Sequence, residues 1–272
     1  MVIAPLVESP LVDDDFDDGW DMSARLVEGR WVERTPRRAV VEPQARREAE
    51  FLPWLAPQLP LPVPVPVITS EDPLVLRHAY LPGRPCPGTS AAHGREIGEF
   101  LRALHSMDPD SAVAHGLADA EAAYAADQAI RDRMAVDVLP RLPDHLRRAG
   151  EDLLARMPRR PAAPCPVHGD LGLDHIRVTG DEVTGVIDWG DSRVGDPALD
   201  LSATTYGSGP GFAAAVVAAY VPDRTLVDRA LDWHLLGPWH EVLFGLDTDQ
   251  EEFVVSGLQG AVTRLERWGD AG

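Results

Sequence analysis

Val167-His168-Gly169-Asp170-Leu171-Gly172-Leu173-Asp174-His175-Ile176 puts an aspartate in a Gly-rich loop, five positions ahead of a histidine. Eighteen residues beyond Asp170 comes a second aspartate, in Val186-Ile187-Asp188-Trp189-Gly190. Phosphoryl transfer from a nucleotide needs few protein groups. One carboxylate takes or orients the proton of the attacking hydroxyl, and a second, with a lone-pair side chain, holds Mg²⁺ on the phosphates. Asp170, Asp188 and His175 offer those groups. A lone Asp fits a turn or a helix cap just as well. What points to chemistry is the pair, set in two matching segments.

The chain between them must fold the two ends together. Ile176-Arg-Val-Thr179 and Val183-Thr-Gly-Val-Ile187, separated by Gly180-Asp181-Glu182, read as a hairpin with Asp188 at its exit. Further upstream, Ala24–Val27 and Arg30–Arg34 read as strands around the Glu28-Gly29 turn. Ala45, Ala49, Leu52 and Leu55 are at helical spacing over 44–56, and Pro57 stops that helix. Residues 59–66 alternate proline with Leu and Val, which imposes an extended path and suggests a packed connector. Leu74–Leu81 reads as a strand closed by Pro82-Gly83. Segments 91–107, 117–157, 211–220 and 226–246 read as helical. The expectation is an α+β protein of two lobes. Residues 1–82 form a small β-containing lobe, with 1–18 a loosely ordered lead-in, and 83–272 form a larger, mostly helical one.

Composition narrows the classes. The chain has 272 residues, 44% of them apolar, enough for a sizeable core. Its formal charge of −19 argues against a general nucleic-acid binder. Its apolar runs fall short of the roughly 20 residues a membrane span needs. The acidic N-terminus lacks the basic and apolar regions of a signal peptide. Two cysteines, Cys86 and Cys165, make no disulfide framework, so a cytoplasmic location is expected. All 25 basic residues are arginine; lysine and asparagine are absent.

His168-Gly169-Asp170-x4-His175, with Ile187-Asp188-Trp189-Gly190, resembles the signature of the aminoglycoside and macrolide phosphotransferase-like antibiotic kinases, which share the protein-kinase-like fold. Gly195-Asp196-Pro197-Ala198-x-Asp200-Leu201 resembles the family's continuation. The resemblance implies Asp170 as catalytic base, Asp188 as Mg²⁺ ligand, and His168 as a structural residue bonding backbone around the loop. Asp196 and Asp200 become scaffold. At the end of the first motif most members carry Asn as metal ligand; this chain has His175, as macrolide phosphotransferases do. A neutral imidazole can ligate a divalent ion, though Mg²⁺ prefers oxygen. The alternative is a histidine that bonds near the site without touching metal.

The small lobe should clamp the nucleotide. Kinases use a strand lysine paired with a helix glutamate. With no lysine, Arg34 falls in that place, and Glu48 in Arg46-Arg47-Glu48 is its expected partner. Arg37 and Arg38 are near enough to compete for the role. Ser23, after Gly19-Trp20-Asp21-Met22, is expected at the terminal phosphates. His78, Ala79 and Tyr80 are expected at the purine, through backbone groups that do not separate ATP from GTP. Trp239, His240 and Glu241 are candidates for the acceptor site, the alternative for Trp233 and Trp239 being helix packing. The implied activity moves the γ-phosphate of ATP or GTP to a hydroxyl of a small molecule, an antibiotic. A small-metabolite kinase is the enzyme alternative. A nucleotide-binding pseudokinase-type regulator is the non-enzyme one, motivated by the missing Lys and Asn.

Overall fold

The computed structural model describes residues 15–16, 21–157 and 163–268. Apart from Asp15 and Phe16, the expected lead-in lies outside them, as do residues 17–20 of the loop before Ser23. Strands β1 (Asp15–Phe16), β2 (Met22–Val27) and β3 (Trp31–Pro36) precede helix α1 (Glu42–Leu55), and β4 (Val67–Glu71) and β5 (Leu74–Ala79) follow it. They form an antiparallel sheet in the order β1-β2-β3-β5-β4. The β2–β3 turn places Glu28 and Gly29 at φ 53° and 64°. Such turns match the twist of the strands they join.

Helix α1 buries Ala45, Glu48, Phe51, Leu52 and Leu55. One carboxylate therefore lies in an otherwise apolar stripe, where it must find a cation. The helix packs on β4 and β5. The proline connector is ordered as expected. Leu61 and Val63 are buried, and the Pro62 carbonyl accepts from the Val186 amide at 3.0 Å.

The second lobe holds β6 (Arg84–Pro85), α2 (Ala91–His105), α3 (Pro109–Ala114), α4 (Ala120–Arg133), α5 (Asp144–Arg156), β7 (Cys165–Val167), β8 (Ile176–Thr179), β9 (Glu182–Val186), β10 (Arg193–Gly195), α6 (Ala198–Tyr206), α7 (Pro210–Tyr220), α8 (Arg224–Thr248) and α9 (Glu251–Trp268). The helical segment expected over 117–157 holds two helices, α4 and α5, with a π turn over Met134–Val138 between them. The expected 176–187 hairpin is β8–β9, with Ile176 opposite Val186. Sequence periodicity did not announce α9, which packs along α8. Trp189, Trp239, Phe100 and Phe212 are among the fully buried side chains of the main core. Burying each contributes about 2 kcal/mol by transfer. Among the described residues, no helix is long and apolar enough to cross a membrane.

Candidate active site

The two motif segments meet because the hairpin closes on itself. The Ile187 amide donates to the His175 carbonyl at 2.9 Å. Trp189 then points inward, 1% exposed, its Nε1 donating to the Val186 carbonyl at 3.0 Å. With Trp189 anchored, Asp188 turns outward at φ 65°, a left-handed conformation that Asp tolerates better than most residues. Backbone strain of this kind is typical of functional loops.

The Asp170 loop is held from below. Buried Asp200 accepts the amides of His168 and Gly169 at 2.8 and 2.9 Å, and pairs with His105 Nε2 at 3.1 Å. His168 is fully buried: its Nε2–H donates to the Ile187 carbonyl at 2.9 Å, and its Nδ1 accepts from the Asp170 amide at 3.3 Å. These partners fix one neutral tautomer, and burial lowers its pKa. His168 thus bonds backbone on both sides of the loop. Gly169 has φ 91°, and a Cβ there would stand 2.1 Å from the Asp191 carbonyl oxygen, so the loop admits no side chain at this point. The outcome is an Asp170 side chain 63% exposed on a fixed backbone.

His175 links the two aspartates. Its Nδ1 donates to the Asp170 carbonyl at 2.7 Å, while Nε2 faces Asp188 Oδ2 at 3.6 Å and Asp174 Oδ2 at 3.5 Å. Burial works against its charge, but Asp188, Asp174 and Asp170 outweigh it and hold the pKa above the ordinary value.

Arg34 closes the other side. Nη1 lies 2.6 Å from Glu48 Oε2 and Nη2 3.2 Å from Asp188 Oδ1. Burial alone would lower the guanidinium's pKa; Glu48 and Asp188 raise it. For Asp188, burial acts upward, but Arg34 and then His175 keep the carboxyl below the usual range. Arg38 instead pairs with Asp21 at the surface.

The resemblance implies Mg²⁺ here. Ligands about 2.0–2.1 Å from Mg²⁺ lie about 3 Å from their neighbours, and the ion is usually held by one or two carboxylates plus phosphates and water. His175 Nε2 and Asp188 Oδ2, 3.6 Å apart, fit that role after a small rotation. Among the described residues, no third His, Cys, Asp or Glu completes a protein cage.

The remaining candidates separate. Ser23 lies within β2, opposite Thr35, and its hydroxyl donates to the Thr35 carbonyl at 3.3 Å. His78 is buried in β5, which lowers its pKa to about 4, and its Nδ1 lies 2.9 Å from the Ala79 carbonyl. Ala79 is exposed at the strand end, while the Tyr80 amide donates to the Arg30 carbonyl at 2.8 Å. Asp196 holds Arg229 through both oxygens at 3.0 Å, a scaffold contact, and accepts from Trp233 Nε1 at 3.3 Å. Trp239 is fully buried in the core, and Glu241 accepts from Ser256 of α9 at 2.6 Å. His240 is exposed by area. It is nonetheless flanked by enough protein that desolvation, aided by Arg193, lowers its pKa to about 4.

Two carboxylates were not singled out from sequence. Asp174 faces His175. Asp191 is also open to solvent by area, yet desolvation and the nearby Asp170 raise its pKa to about 6, with Arg193 opposing. The one sequence signal was their adjacency to the motifs.

Two lobes joined by an Arg–Glu–Asp bridge, with an exposed aspartate on a braced loop, define a kinase-like phosphotransferase architecture. The chain belongs to the phosphotransferase enzyme family, whose model matches residues 15–231. No curated protein matches it by sequence. Among solved structures it is similar to wild-type aminoglycoside 2′-phosphotransferase-IIIa in its GDP complex (TM-score 0.83, 20% identity, 95% of this chain and 94% of that one). It is also similar to the apoenzyme of the macrolide 2′-phosphotransferase MphH from Brachybacterium faecium (0.72, 24%, 91% and 90%). A third is the streptomycin–ATP ternary complex of APH(2″)-IIa (0.66, 22%, 92% and 91%). At these identities the likeness is one of fold.

Proposed function

We propose that this protein transfers the γ-phosphate of ATP or GTP to a hydroxyl of an antibiotic, inactivating it. The observation that carries the reading is the conjunction at His175: one ring nitrogen braces the Asp170 backbone, and the other faces the Asp188 carboxylate. The neighbours of similar fold include complexes with GDP, ATP and streptomycin, which supports both the nucleotide and the acceptor class.

Asp170 accepts the proton of the acceptor hydroxyl as that oxygen attacks the γ-phosphorus, while the bond from the γ-phosphorus to the β-phosphate oxygen breaks and ADP or GDP leaves. Its carboxylate is open to the solvent side, where an acceptor can reach it, and its backbone is pinned by Asp200 and His168. Arg34, charged and backed by Glu48, contacts the nucleotide phosphates. Asp188 and His175 Nε2 would hold Mg²⁺, which when bound neutralises charge on the β- and γ-phosphates. The purine lies against the strand end at Ala79, on the seam between a nucleotide lobe ending near residue 82 and the helical lobe. Of the acceptor candidates, His240 is the one open to an incoming molecule. The reaction is placed in the cytoplasm, where nucleoside triphosphates are supplied.

A coupled nucleotide-turnover assay with ATP and GTP against aminoglycosides and macrolides tests this. Stimulation by at least one antibiotic is expected. Stimulation by none of them, with both nucleotides bound, would overturn the antibiotic assignment.

A further inference from the structure

Arg193 does something the motif does not describe. It lies on β10 opposite Val167, the residue that leads into His168-Gly169-Asp170. Its Nη1 donates to the Asp191 carbonyl at 3.0 Å, and its Nη2 to Asp127 Oδ1 of α4 at 3.1 Å. The pair is sheltered, with side-chain exposures of 19% and 13%. Its third nitrogen, Nε, is buried without a partner among the described residues, so the two outer contacts alone orient the group. The guanidinium also covers Gly169: a Cβ there would stand 3.0 Å from Nη1.

Three segments therefore converge on one side chain. They are the loop before Asp170, the loop after Asp188, and α4 through Asp127. Beyond this bond, α4 is tied to the same strand at its entry, where the Val194 amide donates to the Ala118 carbonyl at 2.9 Å. Gly169 is where the Asp170 loop passes closest to the Asp191 segment, with Asp200 holding its amide from the opposite side. Arg193 is the group that closes over it.

We propose that Arg193, anchored by Asp127, is a positioning residue that fixes the Asp170 loop against the Asp188–Asp191 loop, setting the separation of proton acceptor and metal carboxylate. Hydrogen bonds from a charged, partly buried guanidinium suit this, being stronger than neutral ones. Arg193 stands on the α4 side of the loop, whereas Arg34 and Glu48 approach from β3 and α1. Its loss should therefore act on turnover and leave nucleotide affinity alone. Lysine can satisfy Asp127 or the Asp191 carbonyl, not both in the planar fork.

The proposal rests on Asp170 being the base, and the test separates the two claims. Transfer of the labelled γ-phosphate of ATP or GTP to an aminoglycoside and macrolide panel, nucleotide affinity by calorimetry and amide exchange over residues 165–172 are measured for the wild type, Arg193→Ala, Arg193→Lys and Asp127→Asn. For Arg193→Ala, kcat should fall about tenfold to a hundredfold, the cost of a misplacement near 1 Å. Its nucleotide Kd should stay within about twofold and its loop amides should exchange faster. Arg193→Lys should recover part of kcat, and Asp127→Asn should lose less than Arg193→Ala. Unchanged kcat and exchange in Arg193→Ala would overturn the positioning role, as would nucleotide affinity falling in step with kcat. A wild type without turnover would count against the kinase reading instead, and loop exchange would then decide the role of Arg193.

Discussion

Arg34 Nη2 lies 3.2 Å from Asp188 Oδ1 while Nη1 of the same guanidinium lies 2.6 Å from Glu48 Oε2. A single side chain thereby joins β3, α1 and the loop after β9. In a chain without lysine, the planar fork takes two carboxylates at once, which a point-charge ammonium does less specifically.

Replacing Arg34 with Ala should weaken nucleotide binding by about 1.5–3 kcal/mol, the worth of hydrogen bonds to a charged group. Arg34→Lys should lose less. Arg37→Ala and Arg38→Ala should matter little, since Arg38 pairs with Asp21 at the surface. Calorimetry on the four variants checks this. A large loss at Arg37 or Arg38, with none at Arg34, would reassign the phosphate contact.

His175 offers a test of the metal site. His175→Asn should keep activity, because the amide oxygen is a harder donor for Mg²⁺ than nitrogen. His175→Ala should raise the Mg²⁺ concentration needed for half-maximal turnover. Because the surrounding carboxylates raise its pKa, the wild type should need more Mg²⁺ as pH falls, and the Asn variant should lose that dependence. Magnesium titrations of an Ala variant indistinguishable from the wild type would remove His175 from the metal.

Asp191 gives a stability test with a defined sign. Its pKa is raised to about 6 in the fold, against about 3.9 unfolded. The folded state therefore resists ionising it, and stability drains away as pH rises from about 4 through about 6. Asp191→Asn should raise the urea midpoint at about pH 8 more than at about pH 5. Because the side chain is solvent-exposed, the gain should stay below about 1 kcal/mol. An equal gain at both pH values would contradict the electrostatic origin.

The motif segments were legible because chemistry restricts residue type at each position. Asp170, His175 and Asp188 therefore stood out before any contact was known, and Arg34 with Glu48 followed from the place of the strand lysine and helix glutamate in the kinases the motifs resemble. The acceptor side was not legible. Consecutive helix residues point about 100° apart, so Trp239, His240 and Glu241 could not face one cleft. Trp239 enters the core, Glu241 meets α9, and only His240 looks outward. Ser23 lies in a strand that begins one residue before it, so pairing with β3 turns its hydroxyl to the Thr35 carbonyl. Arg193 and Asp127 carry no local signal, since 66 residues separate them and only the packing of α4 on β10 brings them together. Helix α9 was hidden by Gly257 and Gly260, which lower helix propensity although Val254, Ala261 and Leu265 keep the buried spacing.

The most direct measurement is transfer of the labelled γ-phosphate of ATP or GTP to an aminoglycoside and macrolide panel by the wild type and by Asp170→Asn. A neutral amide cannot accept the hydroxyl proton. The variant is therefore expected to lose at least about a hundredfold in kcat, within the range of general-base effects, with nucleotide Kd little changed. Labelled antibiotic formed at near-normal rate by Asp170→Asn would contradict the assignment of Asp170 as the base.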